Sequence, residues 1–229
     1  TKIKEIVKKY NLLLIEDAAQ SFGASFKNKK SCSFGDVAAT SFFPAKPLGC
    51  YGDGGAIFTN NNQFADLCRS IRVHGMGKDK YDNVRIGMNS RLDTLQAAIL
   101  LNKLNIFDNE INLRNKNAEF FSKGLEKNLI VPYVQKDNIS SWAQYSLLAS
   151  SEQERDSLIK FLNQQKIPTA IYYKKPFNSL DIYKHLNYHN NEYNISHKLS
   201  KRIFSIPMHP YLNETQLNTI ISTINKFFK

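Results

Sequence analysis

Lys46 stands in the segment Ser41-Phe42-Phe43-Pro44-Ala45-Lys46-Pro47-Leu48-Gly49-Cys50-Tyr51-Gly52-Asp53-Gly54-Gly55, and Asp17 closes the upstream segment Ile15-Glu16-Asp17. Each follows an apolar run, so successive runs end in a carboxylate and an amine. An amine able to condense with a carbonyl, and a carboxylate able to keep a ring nitrogen protonated, are what pyridoxal phosphate chemistry requires. Two prolines flank Lys46 and four glycines follow it. Prolines fix the backbone and glycines permit close approach, a setting that suits a lysine held in a pocket better than one on a solvated surface. Asp17 could instead cap a following turn. With Gln20 three residues on, a second use appears: Asp17 to a ring nitrogen, Gln20 to a ring hydroxyl, and the Ser41 hydroxyl to a phosphate oxygen. The stretch 49–55 fits neither a P-loop nor a Gly-x-Gly-x-x-Gly fingerprint and reads as a tight turn into the next strand.

The elements that must position these residues follow from the apolar pattern. Ile3, Ile6 and Val7 recur at helical spacing. Residues 12–15 form a short continuous apolar run, the mark of a buried strand. Residues 37–43 and 55–59 read as further strands, and 63–72 as a helix with Phe64, Leu67, Cys68 and Ile71 on one face. This alternation predicts an α/β layer with a largely parallel sheet, in which ligands gather at the carboxyl ends of the strands. Residues 74–89 are polar and glycine-punctuated, a loop. From Asp93 a long helical pattern runs toward Gly124, with a bend expected near residues 107–109, and connects two lobes. The domains expected are therefore 1–124, part of a large α/β/α domain, and 125–229, a smaller α/β domain. In the latter, 142–149 and 168–173 read as extended, and 152–165 and 213–228 as amphipathic helices.

Composition bounds the class. The 229 residues are 42% hydrophobic and 22% charged, ordinary for a globular protein. No apolar run is long enough to span a membrane, and no signal-peptide pattern opens the chain. A net charge of +11 suits anionic ligands as well as a plain lysine-rich surface. The lysines are scattered and no nucleic-acid motif accompanies them, so neither nucleic acid nor membrane is an expected partner. Cys32, Cys50 and Cys68 are odd in number and widely spaced, which fits reduced thiols and a cytoplasmic protein. His185 and His189 would share a helical face, but no third ligand stands near and the residues between them read as loop, so no metal is expected.

With these residues in view, the chain resembles the DegT/DnrJ/EryC1/StrS family of PLP-dependent sugar aminotransferases. The resemblance is carried by Ile15–Gln20, Ser33-Phe34-Gly35-Asp36, Ser41–Gly55, Arg72-Val73-His74-Gly75, Ile86–Ala98 and Ser205-Ile206-Pro207-Met208-His209-Pro210. The run 85–100 looks most like the branch that aminates C3 of a UDP-2-acetamido-3-keto-hexuronate. The resemblance implies a fold type I aminotransferase with pyridoxal 5'-phosphate as cofactor, acting in surface polysaccharide biosynthesis on a nucleotide sugar, with an amino acid, glutamate foremost, as donor. It makes Lys46 the cofactor-linked lysine and proton shuttle, with Asp17, Gln20 and Ser41 in the roles given above. Asn89 would reach the phosphate across the interface of a homodimer, with Arg91 beside it. Arg72, His74 and Arg85 become candidates for the sugar carboxylate, either contacting it or merely tying down their loop. Tyr172-Tyr173 falls where many members read His-Tyr and touch the sugar nucleotide, and Asp53 where many have Glu.

Members also carry a further stretch before the segment that Thr1 begins, which implies an N-terminal truncation. That stretch is expected to supply a ring-stacking aromatic residue and a phosphate cradle. The alternatives are amination at C4 of a keto-deoxy sugar, a non-catalytic truncated chain, or a sugar dehydratase, which Lys46 disfavours.

Overall fold

The computed structural model describes residues 2–186 and 193–229, and His189 lies outside them. The chain divides into two compact units, Thr1–Ile111 with Gln135–Ala143, and Asn112–Val134 with Gln144–Lys229. The division thus falls at Ile111/Asn112, earlier in the long helix than the 124/125 boundary expected from sequence.

The first unit holds helix α1 (Lys2–Lys9), strands β1 (Ile15–Asp17), β2 (Ser25–Phe26), β3 (Lys29–Lys30), β4 (Val37–Ser41) and β5 (Gly55–Thr59), helix α2 (Asn62–Ile71), the first half of helix α3 (Thr94–Leu125), and strand β6 (Asn138–Ile139). Its main sheet has the order β1-β4-β5, and a second has the order β3-β2-β6. β1 pairs with β4 in parallel, Asp17 facing Ala39. β4 pairs with β5 antiparallel, Ala39 facing Ile57 and Ser41 facing Gly55. The sheet is therefore mixed, which corrects the largely parallel sheet expected. The connection 42–54 folds back on itself rather than crossing over: the Phe42 N–H donates to the Gly54 carbonyl at 2.7 Å, which brings its two ends together and sends β5 back antiparallel.

Period-two alternation gives the main sheet a covered and an open face. Ala18, Ala38, Thr40 and Phe42 point to the covered face and are buried. Phe22 caps that face, its ring edge-on to Phe42 at 6.0 Å and stacked on Phe58 at 5.9 Å and Phe107 at 5.6 Å. Leu100, Phe107 and Ile111 of α3 complete this core. On the open face, Ile15 is 74% exposed and Ile57 55% exposed. The run 12–15 is thus not the buried strand its composition suggests. β1 is an edge strand with one partner, and only its last residue of that run pairs.

Side chains brace the β1–β4 connection. The Glu16 carboxylate accepts the Cys32 N–H at 2.6 Å and the Phe34 N–H at 3.0 Å. Asp36 Oδ2 accepts the Leu14 N–H at 2.8 Å. The Cys32 thiol is pushed up from its ordinary value by burial, and then by the Glu16 charge.

In the second unit, strand β7 (Tyr145–Leu148) is followed by helix α4 (Glu152–Gln164), helix α5 (Asn194–Arg202), strand β8 (Ile203–Ile206) and helix α6 (Glu214–Phe227). β7 starts later than expected because Trp142 adopts a left-handed φ of 47°, which breaks the extended run. β8 pairs antiparallel with β7. The pattern hides this strand, since Ser205 interrupts the apolar run. In the fold Ser205 is buried, its hydroxyl 2.8 Å from that of Ser146.

Leu158 and Leu162 of α4 and Leu217, Ile220 and Ile224 of α6 are buried, and a capping box of Asn213 and Gln216 starts α6. The second half of α3 belongs to this core: Ala118, Phe121 and Leu125 are buried. It also fixes the segment after β8, because Arg114 Nη1 donates to the Met208 carbonyl at 3.2 Å and Asn117 Nδ2 to that of His209 at 3.0 Å. The His209 imidazole sits below its ordinary range, first from burial and then from the Arg114 charge. No helix among the described residues is long and apolar enough to cross a membrane.

Tyr145 is fully buried, with its hydroxyl 2.7 Å from Ser122 Oγ. Burial pushes the phenol from an ordinary value near 10 up to about 12. The unfolded chain therefore releases this proton first, and the phenol's contribution to stability is lost as pH rises from about 10 to 12. Denaturant melts across that range are expected to fall more steeply for wild type than for Tyr145→Phe. Below pH 9 the variant should lose only the hydroxyl's bond, about 1 kcal/mol.

Candidate functional site

Asp17 and Ser41 lie at the carboxyl ends of the parallel strands β1 and β4. Asp17 faces Ala39, and Ser41 is the next residue of β4 on the same, open face. Asp17 is exposed. Its Oδ1 accepts the Ala19 N–H at 3.0 Å, so the local turn expected of an Asp is present. Oδ2 has no hydrogen-bond partner among the described residues. Ser41 Oγ accepts the Phe43 N–H at 3.2 Å, which leaves the hydroxyl proton to be donated elsewhere. Gln20 follows β1 with its side chain exposed, while its carbonyl accepts the Ser141 hydroxyl at 2.9 Å.

Lys46 is half-buried, and its ammonium has no ion pair or hydrogen bond among the described residues. The turn that bears it is tightly held. The Phe42 N–H donates to Gly54 at 2.7 Å and the Cys50 N–H to the Phe42 carbonyl at 2.8 Å, closing the turn at its base. Cys50 Sγ donates to the same carbonyl at 3.0 Å. Inside the turn the Lys46 N–H meets the Phe43 carbonyl at 2.8 Å. Pro47, Leu48, Gly49 and Cys50 are buried. A Cβ on Gly49 would lie 2.6 Å from the Pro44 oxygen and 2.8 Å from the Phe43 oxygen, so only glycine fits there.

Helix α3 reaches this turn twice. Gln96 Oε1 accepts the Tyr51 N–H at 2.7 Å, and Lys103 Nζ donates to the Gly49 carbonyl at 2.5 Å. Neither residue stands out in the sequence, where both read as the polar side of a helix. Seven residues, two turns, separate them, and that spacing is the only available sign that they serve one neighbour.

The loop between α2 and α3 folds back on itself. The His74 N–H donates to Met88 at 3.0 Å and the Val84 N–H to Gly75 at 3.0 Å, while Val73 and Asn89 form an antiparallel bridge. Gly75, at φ +73°, and Gly87 cross with their backbones in direct contact, where no Cβ could be accommodated. Arg85 Nη1 donates to Ser70 Oγ, which donates to the Met76 carbonyl at 2.6 Å. This bond links the folded-back loop to α2, while the Arg85 side chain stays exposed. Arg72 and His74 are exposed. Arg91 Nη2 donates to Asn89 Oδ1 at 3.0 Å.

A cavity of about 1010 Å³ opens against the sheet's open face, lined by Ala39, Ile57, Cys68, Arg72, Asn89 and Arg91 among others. The first unit thus gathers the expected residues in two groups. Asp17, Gln20, Ser41 and Lys46 stand at the strand ends, outside the cavity lining, and Arg72, Asn89 and Arg91 line the cavity. His74 and Arg85 belong to the folded-back loop. Tyr172 and Tyr173 lie in the second unit, both exposed, with ring centroids 5.6 Å apart. Cys32, Cys50 and Cys68 are all free thiols.

Residues 1–225 match the model of the DegT/DnrJ/EryC1/StrS aminotransferase family. The chain is 44% identical over 223 residues to the UDP-2-acetamido-2-deoxy-3-oxo-D-glucuronate aminotransferase of Pseudomonas aeruginosa, with 97% of the chain and 60% of the relative covered. It is 38% identical over 231 residues to a pleiotropic regulatory protein of Geobacillus stearothermophilus, covering 99% and 61%. The crystal structure of a DegT DnrJ EryC1 StrS aminotransferase from Brucella abortus superposes with a TM-score of 0.93 at 47% identity, covering 99% and 60%. The chain therefore spans about 60% of the length of the relatives it matches.

The close approach at Gly49 makes Gly49→Ala a test of the turn's rigidity. The added methyl has no room against two backbone oxygens. It is expected to lower stability by about 1–3 kcal/mol in urea unfolding, with an unchanged m-value. A variant as stable as wild type would show that the turn yields freely.

Proposed function

The chain belongs to the DegT/DnrJ/EryC1/StrS aminotransferase family, and from that premise we propose that it acts as a PLP-dependent aminotransferase of sugar nucleotides. The amino group passes from an amino acid, glutamate as the expected donor, to C3 of a UDP-linked 2-acetamido hexuronate, for surface polysaccharide biosynthesis. The name of the Pseudomonas relative supports C3 of a 3-oxo uronate over C4 of a keto-deoxy sugar. The observation that carries the reading is the unpaired Lys46 amine on a pinned turn, next in the chain after the strand ends that bear Asp17 and Ser41.

This donor set fits pyridoxal 5'-phosphate: an amine, a carboxylate oxygen without a partner, and a hydroxyl with its proton to give. When bound, that cofactor supplies an aldehyde and an electron-withdrawing ring. Lys46 Nζ would hold it and would move a proton to and from the reacting carbon. Asp17 Oδ2 would keep the ring nitrogen protonated, with Oδ1 fixed by the Ala19 N–H. Ser41 Oγ, which accepts the Phe43 N–H, would donate to the phosphate, and Gln20 would take the ring hydroxyl.

For the substrate, Arg91 and Arg72 offer planar cationic forks to a carboxylate or diphosphate, and the +11 charge favours such an anion. His74 adds a donor from the same loop. Tyr172 and Tyr173 are assigned to the sugar nucleotide. Asn89 is assigned to the cofactor phosphate of a second subunit in a homodimer. A nucleotide-sugar substrate and free thiols fit the cytoplasm.

The name of the Geobacillus relative favours a second reading, in which a chain of this family regulates rather than catalyses. Borohydride reduction of the chain with pyridoxal 5'-phosphate, followed by peptide mapping, separates the two. An adduct on Lys46, absent in Lys46→Ala, is expected. Equal labelling of wild type and variant would overturn the catalytic reading. Asp17→Asn keeps the turn to Ala19 but removes the charge, so it should retain the adduct while slowing transfer about a hundredfold or more. Transfer at the wild-type rate would remove Asp17 from its assigned role.

A further inference from the structure

Gln96 and Lys103 point to a role beyond helix surface. They sit two turns apart on α3 and hold two carbonyl-to-amide positions of the Lys46 turn, at Tyr51 and Gly49. The two contacts are chemically opposite: Gln96 accepts from the turn, and Lys103 donates to it. Tyr51 is otherwise 77% exposed, so its N–H would face water without Gln96. The Gly49 carbonyl sits within the buried stretch 47–50, where an acceptor without a donor is costly. Lys103 is half-buried, and its charge makes this bond stronger than a neutral one. The same stretch of helix carries Leu100 and Phe107 into the core beneath Phe42. The turn is thereby tied to the helix that also carries its hydrophobic anchor.

We propose that Gln96 and Lys103 are positioning residues that lock the Lys46 turn onto helix α3 and so set the exposure and reactivity of the Lys46 amine. Without them the base of the turn remains closed by Phe42, Cys50 and Gly54, and Leu48 and Cys50 stay packed with Leu100 and Phe107, but residues 49–52 lose both hydrogen bonds to the helix. The backbone that bears Lys46 then loses its fixed path, and the amine samples more orientations. The effect is local, since neither contact belongs to the sheet or to the Phe22–Phe107 core.

The locking role can be tested on the 229-residue chain without any cofactor. Amide hydrogen exchange would be followed at Tyr51 and across residues 42–55, and competitive acetylation of Lys46 by acetic anhydride would be followed against pH. In Gln96→Leu and Lys103→Met, exchange at Tyr51 and neighbouring amides is expected to rise about tenfold, the effect of losing one such bond, and the acetylation profile of Lys46 to shift. Gln96→Glu keeps an acceptor and Lys103→Arg keeps a donor, so both should restore the wild-type values. Exchange and acetylation unchanged in both apolar variants would overturn the proposal. So would Glu and Arg variants that fold but behave like Leu and Met. If an apolar variant does not fold, its polar counterpart decides by the same two readouts.

The importance of the Lys46 amine rests on the proposed function, but the two fail differently. A wrong function shows as no Lys46 adduct with pyridoxal 5'-phosphate in wild type. A wrong lock shows as equal exchange in wild type and variants.

Discussion

Phe42 is where the backbone of the first unit is anchored. Its ring is buried in the core with Leu100, Phe107 and Ile111. Its N–H takes the Gly54 carbonyl, and its own carbonyl takes both the N–H and the thiol of Cys50. One residue therefore joins the hydrophobic core to both ends of the turn that carries Lys46. Apolar burial provides the energy and is non-directional. The three hydrogen bonds convert that energy into a defined backbone path. An amine that is to meet a bound carbonyl gains from such a path, because orientation is fixed before any partner arrives.

The same logic explains why the open face of the sheet presents uncommitted polar groups while those of the covered face are bonded. On the covered face small residues, Ala18 and Ala38, let Phe22 approach, and the hydroxyl of Thr40 is satisfied by donating to the Ala18 carbonyl at 2.9 Å. On the open face Asp17 and Ser41 each spend one oxygen on a nearby backbone N–H and keep one function free. These local bonds restrict rotation without using up the group. Glu16, next to Asp17 in sequence but on the other face, is wholly committed: both its oxygens accept backbone N–H groups of the β1–β4 connection. Adjacent carboxylates on one strand thus divide the work, Glu16 holding the connection and Asp17 standing ready, because the strand turns them to opposite faces.

How far the sequence revealed this depends on the kind of signal. The constrained turn around Lys46 is legible because prolines and glycines mark a fixed backbone whatever the partner. The strand-end positions of Asp17 and Ser41 are legible from the apolar runs they belong to. The antiparallel return of β5 is not legible, since nothing in the run 55–59 distinguishes a parallel from an antiparallel strand; the bond from the Phe42 N–H to the Gly54 carbonyl, which folds the connection back, shows only in the structure. Burial of residues 12–15 was misjudged because apolarity reports what a strand can cover, not whether a neighbour lies beside it. β8 escaped because Ser205 breaks the pattern, and the partner that satisfies it, Ser146, is distant in sequence. Gln96 and Lys103 escaped for a related reason. A polar helix position reads as solvated until the backbone it serves is located.

Arg85 shows the limit of assigning roles from residue type alone. An arginine in a loop beside Arg72 and His74 invites an anion, and the chemistry of its fork supports that. In the fold its guanidinium is joined to Ser70, and through it to the Met76 carbonyl, just where Gly75 and Gly87 cross. The crossing is held by backbone bonds, His74 N–H to Met88 at 3.0 Å and Met88 N–H to Ile71 at 2.8 Å among them, and the Arg85 side chain adds a link back to α2. Asn89 and Arg91 leave the loop immediately after this crossing, linked to each other. Their placement comes from the Val73–Asn89 bridge and from the Ser90 N–H, which donates to the Arg72 carbonyl at 3.0 Å, as the placement of Lys46 comes from the bonds at Phe42. In both loops, backbone bonds a few positions away give a polar side chain a defined place.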